Sequence, residues 1–379
     1  STTVTLAAGA SSTDDTYNSM SVYISSGTGA GQVRTISDYV GSTRVATVSA
    51  WTTTPDDTSV YQVRSSFGDA TVVNATDLDF ISAHVGGDFA ATATNGTITQ
   101  DSALNIAGTA DFLSSSSGNI ILDSAANDFV GNVRFQGGAV VIKDSNNINF
   151  GNATTSGNST AAGTRADSNG NQYALKVYAG DQITDDAVGL LVTGPTATTG
   201  DGNAWFGTNN ASSGRIVLDS GLHTVDGTWT LEGGIGYTVS SASAVVLTAM
   251  TLAGDLRVTT TGGTVTDTGV LSVEGLAVIS ASGFDVTLDG IGTTNTFDAG
   301  GVRITGYNNF QDEVQIIGAN VEIKDINNIK LGKSNVSGTF DVTAGGTVTQ
   351  NQLTANPLDI DGATTISGTD ITLNNEAND

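Results

Sequence analysis

Apolar and polar residues alternate along most of the chain in short runs of roughly 4–6 residues, the usual length of a β-strand. Alternation places one row of side chains on the inner face of a strand and the next row on the outer face. Gly, Asn, Asp and Ser separate the runs, and these residues favour turns. No stretch carries a sustained helical stripe. The pattern therefore predicts an all-β chain.

The strand pattern repeats along the chain. Val321–Gly332 restates Val140–Gly151 almost residue for residue, and this register aligns four degenerate units, at residues 70–138, 139–234, 235–318 and 319–379. A unit of this kind has too little apolar surface to close its own core, so neighbouring units must stack. The repeats predict a parallel β-helix (β-solenoid) with about three coils of roughly 20–25 residues per unit.

Five strand-like elements recur within the units. The first predicts that Val140, Ile142, Val239, Val321 and Ile323 point inward and that Lys143 and Lys324 are exposed. The second element ends at Gln100, Asp185, Asp267 and Gln350, and the third begins at Leu104, Leu190, Leu271 and Leu358. The fifth, Phe129–Gly137 in the first unit, is matched by Val225–Gly233 and more loosely by Phe297–Gly306, and it has no copy in the fourth unit.

Residues 1–69 do not share the repeat. Short alternating runs begin at Thr2, Ser21, Gly31, Arg44 and Val60, with turn-forming clusters between them. This predicts a small all-β module, a barrel or a sandwich, which would also cap one end of the solenoid.

Composition and charge exclude several classes of protein. With 38 acidic and 13 basic residues the net charge is −25, which disfavours binding to nucleic acid or to an anionic membrane. The acidic excess either solvates a long surface or binds a cation, and Ca²⁺ is the candidate. The chain has no cysteine and no apolar run long enough to span a membrane. It begins at Ser1 without a basic signal region, so we expect a mature exported protein, extracellular or on the cell surface.

The candidate chemistry is sparse, and we predict no catalytic residue, no cofactor and no enzyme activity. The two histidines, His84 and His223, are far apart in sequence. Paired acids could serve as glycosidase carboxylates or as Ca²⁺ ligands, but each pair falls at a strand end where Asp is ordinary turn chemistry. The pairs are Asp14 with Asp15, Asp56 with Asp57, Asp185 with Asp186 and Asp312 with Glu313.

Two inserts, at residues 158–172 and 195–211, interrupt the repeats. The second carries Trp205 and Phe206 among Gly, Asn and Thr. An aromatic pair in a polar loop suits a surface contact or a sugar platform. The alternative is that the loop folds back onto the solenoid.

Four repeat strings resemble the β-strand repeats of very large bacterial surface adhesins related to filamentous haemagglutinin; they are Val321–Gly332, Gly338–Gln350, Leu358–Gly368 and Asp370–Asp379. The resemblance covers about residues 70–379. The amino-terminal string from Ser11 to Tyr61 resembles a module of phage tail and virion proteins and of large surface proteins. These resemblances imply a parallel β-helix in an adhesive or fibrous extracellular structure, and they carry over no catalytic residue.

The sequence therefore predicts an extracellular structural protein that assembles head-to-tail into a surface filament, sheath or adhesive fibre. A phage tail fibre or virion component and a β-helix polysaccharide lyase or hydrolase are the alternatives. Its partners would be copies of itself and a cell-surface or polysaccharide target. The predicted joint is a free amino-terminal strand that pairs with the last coil of a neighbour, through Val4, Leu6, Ile371, Leu373 and Asn378.

Overall fold

The computed structural model describes residues 1–64, 68–115, 117–151, 153–156, 173–186, 189–193, 202–290, 306–353, 355 and 357–379. Every regular element in these ranges is a β-strand. No helix in the described ranges has the length and hydrophobicity needed to cross a membrane.

The amino-terminal module is a five-stranded antiparallel sheet. Its strands are β1 (Thr3–Thr5), β2 (Ser21–Ser26), β3 (Val33–Val40), β4 (Val45–Val48) and β5 (Val60–Arg64), in the order β1-β4-β3-β2-β5. The first part of β3 pairs with β2 and the rest with β4, across a register shift between Ile36 and Asp38. Both halves share one core that includes Val22, Ile36 and Trp51. No pairing between described residues closes the sheet into a barrel.

The body begins at β6 and is a parallel solenoid of about 12 turns, which confirms the predicted fold class. A ladder of seventeen strands runs along it, in which β6 pairs with β9 at one end and β41 with β38 at the other. Its strands are β6 (Ala70–Asn74), β9 (Phe89–Ala93), β12 (Ala110–Ser114), β15 (Asn132–Gly137), β17 (Ile148–Phe150), β18 (Ala153–Ser156), β20 (Gln182–Asp185), β21 (Leu190–Thr193), β23 (Arg215–Val225), β25 (Gly236–Ser241), β28 (Asp255–Thr260), β31 (Ala277–Ser280), β34 (Glu313–Gly318), β36 (Ile329–Val336), β38 (Val348–Gln350), β39 (Leu358–Ile360) and β41 (Ile371–Thr372).

A second parallel sheet of thirteen strands forms another face. It contains β7 (Leu78–Phe80), β10 (Ile98–Gln100), β13 (Ile120–Leu122), β16 (Val140–Lys143), β19 (Leu175–Ala179), β22 (Ala204–Thr208), β24 (Thr228–Glu232), β26 (Val245–Leu247), β29 (Val265–Asp267), β32 (Val286–Leu288), β35 (Val321–Asp325), β37 (Phe340–Ala344) and β40 (Thr364–Ser367). Two short three-stranded sheets complete some coils, β8 (Ala83–Val85), β11 (Leu104–Ile106) and β14 (Asp128–Phe129), then β27 (Met250–Leu252), β30 (Leu271–Val273) and β33 (Asn309–Phe310).

The core consists of columns of side chains that run along the solenoid axis, because equivalent positions of successive coils stack in register. One column contains Val245, Val265, Val286, Val321 and Phe340, all buried. Aromatic rings also stack from coil to coil, with centroids 5.4–5.9 Å apart along Phe80, Phe89, Phe112 and Phe129. Burial of such rings adds edge-to-face attraction to the hydrophobic gain.

The inward row of the first element lies as predicted. Val140, Ile142, Val239, Val321 and Ile323 are all buried. Lys143 and Lys324, however, are half-buried and not exposed as predicted. The Lys143 ammonium lies 5.3 Å from the ring centroid of Tyr178 in the next coil. The Lys324 ammonium lies 2.6 Å from a carboxylate oxygen of Glu322 in the same strand.

The alignment of the fifth element needs correction. Phe297 lies outside the described residues, and the strands that correspond to β14 and β15 are β33 and β34, in which Phe310 takes the place of Phe129. Val225–Gly233 is also misaligned, since β24 belongs to the thirteen-stranded sheet whereas β15 belongs to the ladder. Degenerate apolar alternation fits several neighbouring strands equally well, which explains both errors.

Candidate functional site

The last described coil ends in an incompletely covered apolar layer. Ile366 continues the core column of Val342, and Ile371 continues that of Val348. Val348 is fully buried, whereas Ile371 is 44% exposed, because no further coil in the structure covers it. We call this the end layer; it consists of Ile360, Ile366, Ile371 and Leu373.

The first coil has a comparable apolar layer at the other end of the solenoid. Most side chains of β6, β7 and β8 that pack against the core are only partly buried, although Val85 is buried; the partly buried ones are Ala70, Val72, Leu78, Phe80 and Ala83. The module touches this coil at the rings of Tyr23 and His84, whose centroids lie 5.9 Å apart. Core columns thus reach both ends of the described solenoid.

The predicted assembly residues do not form one surface. Ile371 and Leu373 belong to the end layer, and Asn378 of the last coil accepts the backbone N–H of Leu358 of the preceding coil at 2.9 Å. Val4 lies in β1, which pairs with β4, and Leu6 is 4% exposed in the module core. The prediction of a free amino-terminal strand is therefore wrong, because packing inside its own module holds that strand.

Four corners of the solenoid share a hydrogen-bonding arrangement, in which the leucine N–H bond is buried at three corners and part-buried at the fourth. The leucine that begins the third element donates its backbone N–H to a side chain from the following coil, and that side chain also contacts the last residue of the second element. We call these the polar corners; their side-chain pairs are Gln100 with Asn127, Asp185 with His223, Asp267 with Asn308, and Gln350 with Asn378. The four leucine nitrogens lie 2.7–2.9 Å from their acceptors. The backbone donor at each corner is thereby satisfied.

The second polar corner brings together the residue types of a hydrolase triad. His223 is fully buried, with Nε2 3.1 Å from a carboxylate oxygen of Asp185 and 3.2 Å from the hydroxyl of Ser220. Its Nδ1 accepts the N–H of Leu190 at 2.9 Å and therefore carries no proton in this arrangement. Nε2–H then donates toward Asp185. Both ring nitrogens are engaged, and serine and aspartate share the same one, so the imidazole cannot serve as a base that the carboxylate orients.

Two further buried carboxyls organise the turns of the first element. Asp144 accepts the backbone N–H groups of Phe129 and Asn146, both at 2.8 Å. Asp325 accepts those of Phe310 and Asn327 in the same way. Burial raises the pKa of Asp144 to about 7 and that of Asp325 to about 6, although these N–H donors partly oppose the effect.

Of the other predicted ligand groups, the acid pairs act mainly in turns and strand contacts. Each pair has a carboxylate that accepts a backbone or side-chain N–H from a neighbouring residue. Within the described ranges no three His, Asp or Glu side chains lie close enough to hold a metal ion. Ca²⁺ binding stays a prediction. The two histidines lie in β8 and β23, in separate coils.

Trp205 and Phe206 lie in the wall of the solenoid and not in a protruding loop, so the predicted surface contact is wrong. Both belong to β22; Phe206 is fully buried in the core and Trp205 is 4% exposed. The Trp205 ring covers Gly207, where a Cβ would lie 2.0 Å from it, and stacks 4.1 Å from Tyr178. Residues 158–172 and 195–201 of the inserts lie outside the described residues.

Sequence reasoning missed the polar corners, although a signal was present. Ala-Asn-Asp occurs at residues 126–128 and again at 377–379, and Asn308 precedes Phe310 as Asn127 precedes Phe129. The corner asparagine occupies the same place in each string. The histidine of the second unit breaks the string, so only the structure shows that His223 replaces an asparagine.

A sequence profile described as repeats of unknown function (DUF5649) matches residues 68–136, 234–316 and 318–379, more than half of the chain. The chain belongs to this family. Comparison with curated proteins gives no match, and comparison with solved structures gives none either. The matched stretches contain the three asparagine corners, and the Asp185–His223 corner lies between them.

Proposed function

We propose that this protein is an extracellular structural protein whose solenoid stacks head-to-tail into a surface filament, sheath or adhesive fibre. The observation that carries the proposal is the exposed end layer, with Ile371 44% exposed at the end of a core column. A second solenoid placed on this layer would bury it as each internal coil buries its neighbour. Burial of apolar surface contributes about 25 cal/mol per Å².

The strand edges favour the same joint. At the last coil β40 and β41 pair on one side only, and at the first coil β6 and β7 do likewise. Unpaired edges of parallel strands recruit further strands. Because the two ends of a parallel solenoid differ, contact between them is heterologous and builds an open fibre instead of a closed ring.

The charge of the chain supports end contacts over side contacts. The net charge of −25 makes the sides of two solenoids repel each other. The four end-layer side chains are uncharged, so contact through them buries no carboxylate. Fibres should therefore grow in length before they bundle, and added salt should promote bundling by screening the sides.

A charged end layer tests the proposal. Ile371→Lys places an ammonium group in the joint, and Val130→Lys is the matched control, since Val130 is 69% exposed on the side of the solenoid. We expect Ile371→Lys to weaken assembly of the purified chain by at least about tenfold, or about 1.4 kcal/mol, and the control to assemble like the wild type. Sedimentation velocity and electron microscopy measure the fibres.

Two results would contradict the proposed function. One is a wild-type chain that stays monomeric at the highest soluble concentration. The other is equal assembly of Ile371→Lys and wild type. Circular dichroism of both variants confirms that the solenoid itself is intact.

A further inference from the structure

The amino-terminal module has two outer strands that line one cleft. In the order β1-β4-β3-β2-β5 the outer strands are β1 and β5. All neighbouring pairs are antiparallel, so β1 and β5 run in the same direction. A cleft of about 420 Å³ lies between them, lined by Thr3, Val4 and Thr5 on one side and by Ser59 and Tyr61 on the other.

Hydrogen bonding shows which backbone groups of β1 face this cleft. Thr2 accepts the N–H of Val48 at 2.9 Å, and Leu6 donates to the carbonyl of Arg44 at 2.8 Å. In an antiparallel ladder alternate residues bond to the same neighbour. Val4, between these two, therefore also faces β4.

Thr3 and Thr5 consequently direct their N–H and C=O groups away from β4 and toward the cleft. Both side chains are exposed. The Thr3 N–H donates to the Ser1 hydroxyl at 3.3 Å and the Thr3 C=O accepts from it at 3.1 Å; both bonds are exposed, so an added strand would displace the Ser1 side chain. A strand edge of this kind offers the main-chain donors and acceptors that an added strand requires.

The walls of the cleft define the chemistry of what would fit. Its floor is apolar, formed by Ile24, which is buried, and by the half-buried Val4 and Tyr61. The Tyr61 hydroxyl bonds to the backbone N–H at the end of β1 and closes the cleft there. The opposite rim carries two exposed carboxylates, Asp56 and Asp57.

We propose that this cleft captures an extended peptide of a partner protein, which adds to β1 as an antiparallel strand. The backbone of Thr3 and Thr5 supplies the hydrogen bonds, and one apolar side chain of the peptide rests on the floor. A basic side chain pairs with the Asp56–Asp57 rim, which selects basic over acidic segments. The role of β1 is thus to receive a strand, independently of whether the solenoid forms fibres.

The test uses the whole chain and a synthetic probe, acetyl-Lys-Thr-Val-Thr-Val-amide, in isothermal titration calorimetry. Thr5→Pro removes one N–H from the open edge, a position at which proline is tolerated in an edge strand, and Thr5→Val keeps that N–H. We expect Thr5→Pro to weaken binding by about tenfold or more and Thr5→Val to leave it unchanged. Asp57→Asn should weaken binding by about two- to fivefold.

Hydrogen exchange and a modified probe make the outcome decisive. Binding should slow backbone exchange in residues 1–7, and a probe N-methylated at its central valine should bind as poorly as the normal probe binds Thr5→Pro. The proposal is overturned if Thr5→Pro and Thr5→Val bind alike, if no probe binds at about 1 mM, or if a glutamate probe binds as well as the lysine probe. Protection of residues 1–7 by raised protein concentration alone would assign the cleft to a second copy and also overturn it.

Discussion

The second and third polar corners both bind a leucine backbone N–H, but the pKa of the aspartate is lowered at the second corner and raised at the third. In both, an aspartate ends the second element and a leucine N–H is bound by a side chain of the next coil. Burial raises the pKa of Asp185, but the hydrogen bonds that the carboxylate accepts from His223 and from the backbone N–H of Asp219 outweigh it, and the net pKa is lowered. At Asp267 burial prevails over the donors Asn308 and Gly290 and raises the pKa to about 6.

The difference comes from the partner and not from the fold. Asp185 accepts the Nε2–H of His223 besides the backbone N–H groups of Asp219 and Ser220, and these donors lower its pKa more than Asn308 and Gly290 lower that of Asp267. The backbone contact is nearly the same, with the leucine nitrogen 2.9 Å from His223 Nδ1 and 2.7 Å from Asn308 Oδ1. Corner geometry is therefore kept by the coil, while the charge of the corner varies from unit to unit.

The largest expected effect comes from removing the histidine. His223→Ala leaves the Asp185 carboxylate, whose side chain is 1% exposed, with only the backbone N–H groups of Asp219 and Ser220 as donors, and it leaves the Leu190 N–H without its acceptor. Removing the side-chain partner of a buried carboxylate costs about 3–5 kcal/mol, because the charge is left less compensated. Asn308→Ala should cost less, about 1–3 kcal/mol, because the raised pKa of Asp267, about 6, lets its carboxyl take up a proton once the amide donor is gone. Urea unfolding of both variants at pH 7 measures the two costs, and equal costs would contradict the comparison.

The second prediction concerns the change of folding stability with pH, which has opposite signs at the two corners. A carboxyl whose folded-state pKa is raised binds protons more tightly in the folded protein, so its contribution to stability is lost as pH rises. For Asp267 this loss falls between the unfolded pKa near 3.8 and about 6, and amounts to about 2–3 kcal/mol. For Asp185, whose pKa is lowered, the contribution is present above the unfolded pKa and is lost as pH falls below it.

Asp267→Asn isolates the contribution of Asp267 to the pH dependence of stability. The variant keeps an amide pair like that of Gln100 and Asn127, so we expect the wild type to lose more stability than the variant between pH 4.5 and pH 7. Asp144 and Asp325 add the same trend to both proteins and cancel in the difference. An identical pH profile for wild type and variant would show that Asp267 is not held protonated.

How much of this was predictable depends on the range of the interaction. The inward side chains Val140 and Ile323 follow from alternation within a single strand, and the leucines of the third element follow from the repeat register. These are local properties that a sequence shows directly. The predicted all-β solenoid rests on them.

The polar corners depend on residues that are brought together only by coiling. Asn127 lies 27 residues from its partner Gln100, whereas Asn308 lies 41 residues from Asp267, since segments of unequal length separate them. Because the spacing of such pairs varies, the sequence alone does not reveal them. The prediction for Trp205 was wrong for a related reason. The glycine-rich residues around it resemble a loop in sequence, whereas in the structure Trp205 lies in a strand that packs on residues of the preceding coil, such as Tyr178.

The smallest effect, and the sharpest check of the comparison, comes from converting the second corner into the third. His223→Asn keeps an acceptor for the Leu190 N–H and a donor for Asp185, the arrangement already present between Asn308 and Asp267. Asparagine is shorter than histidine and loses contact with Ser220, so we expect a cost of about 1–2 kcal/mol at pH 7, less than that of His223→Ala.

The same change should reverse the electrostatics of Asp185. Without the imidazole, burial becomes the prevailing influence on its pKa, which should rise as that of Asp267 does. Stability of His223→Asn should then decline more steeply than that of the wild type as pH rises from 4.5 to 7. Unfolding measured at both pH values gives the slopes. A variant whose slope matches that of the wild type would mean that the coil, and not the histidine, sets the charge of the corner.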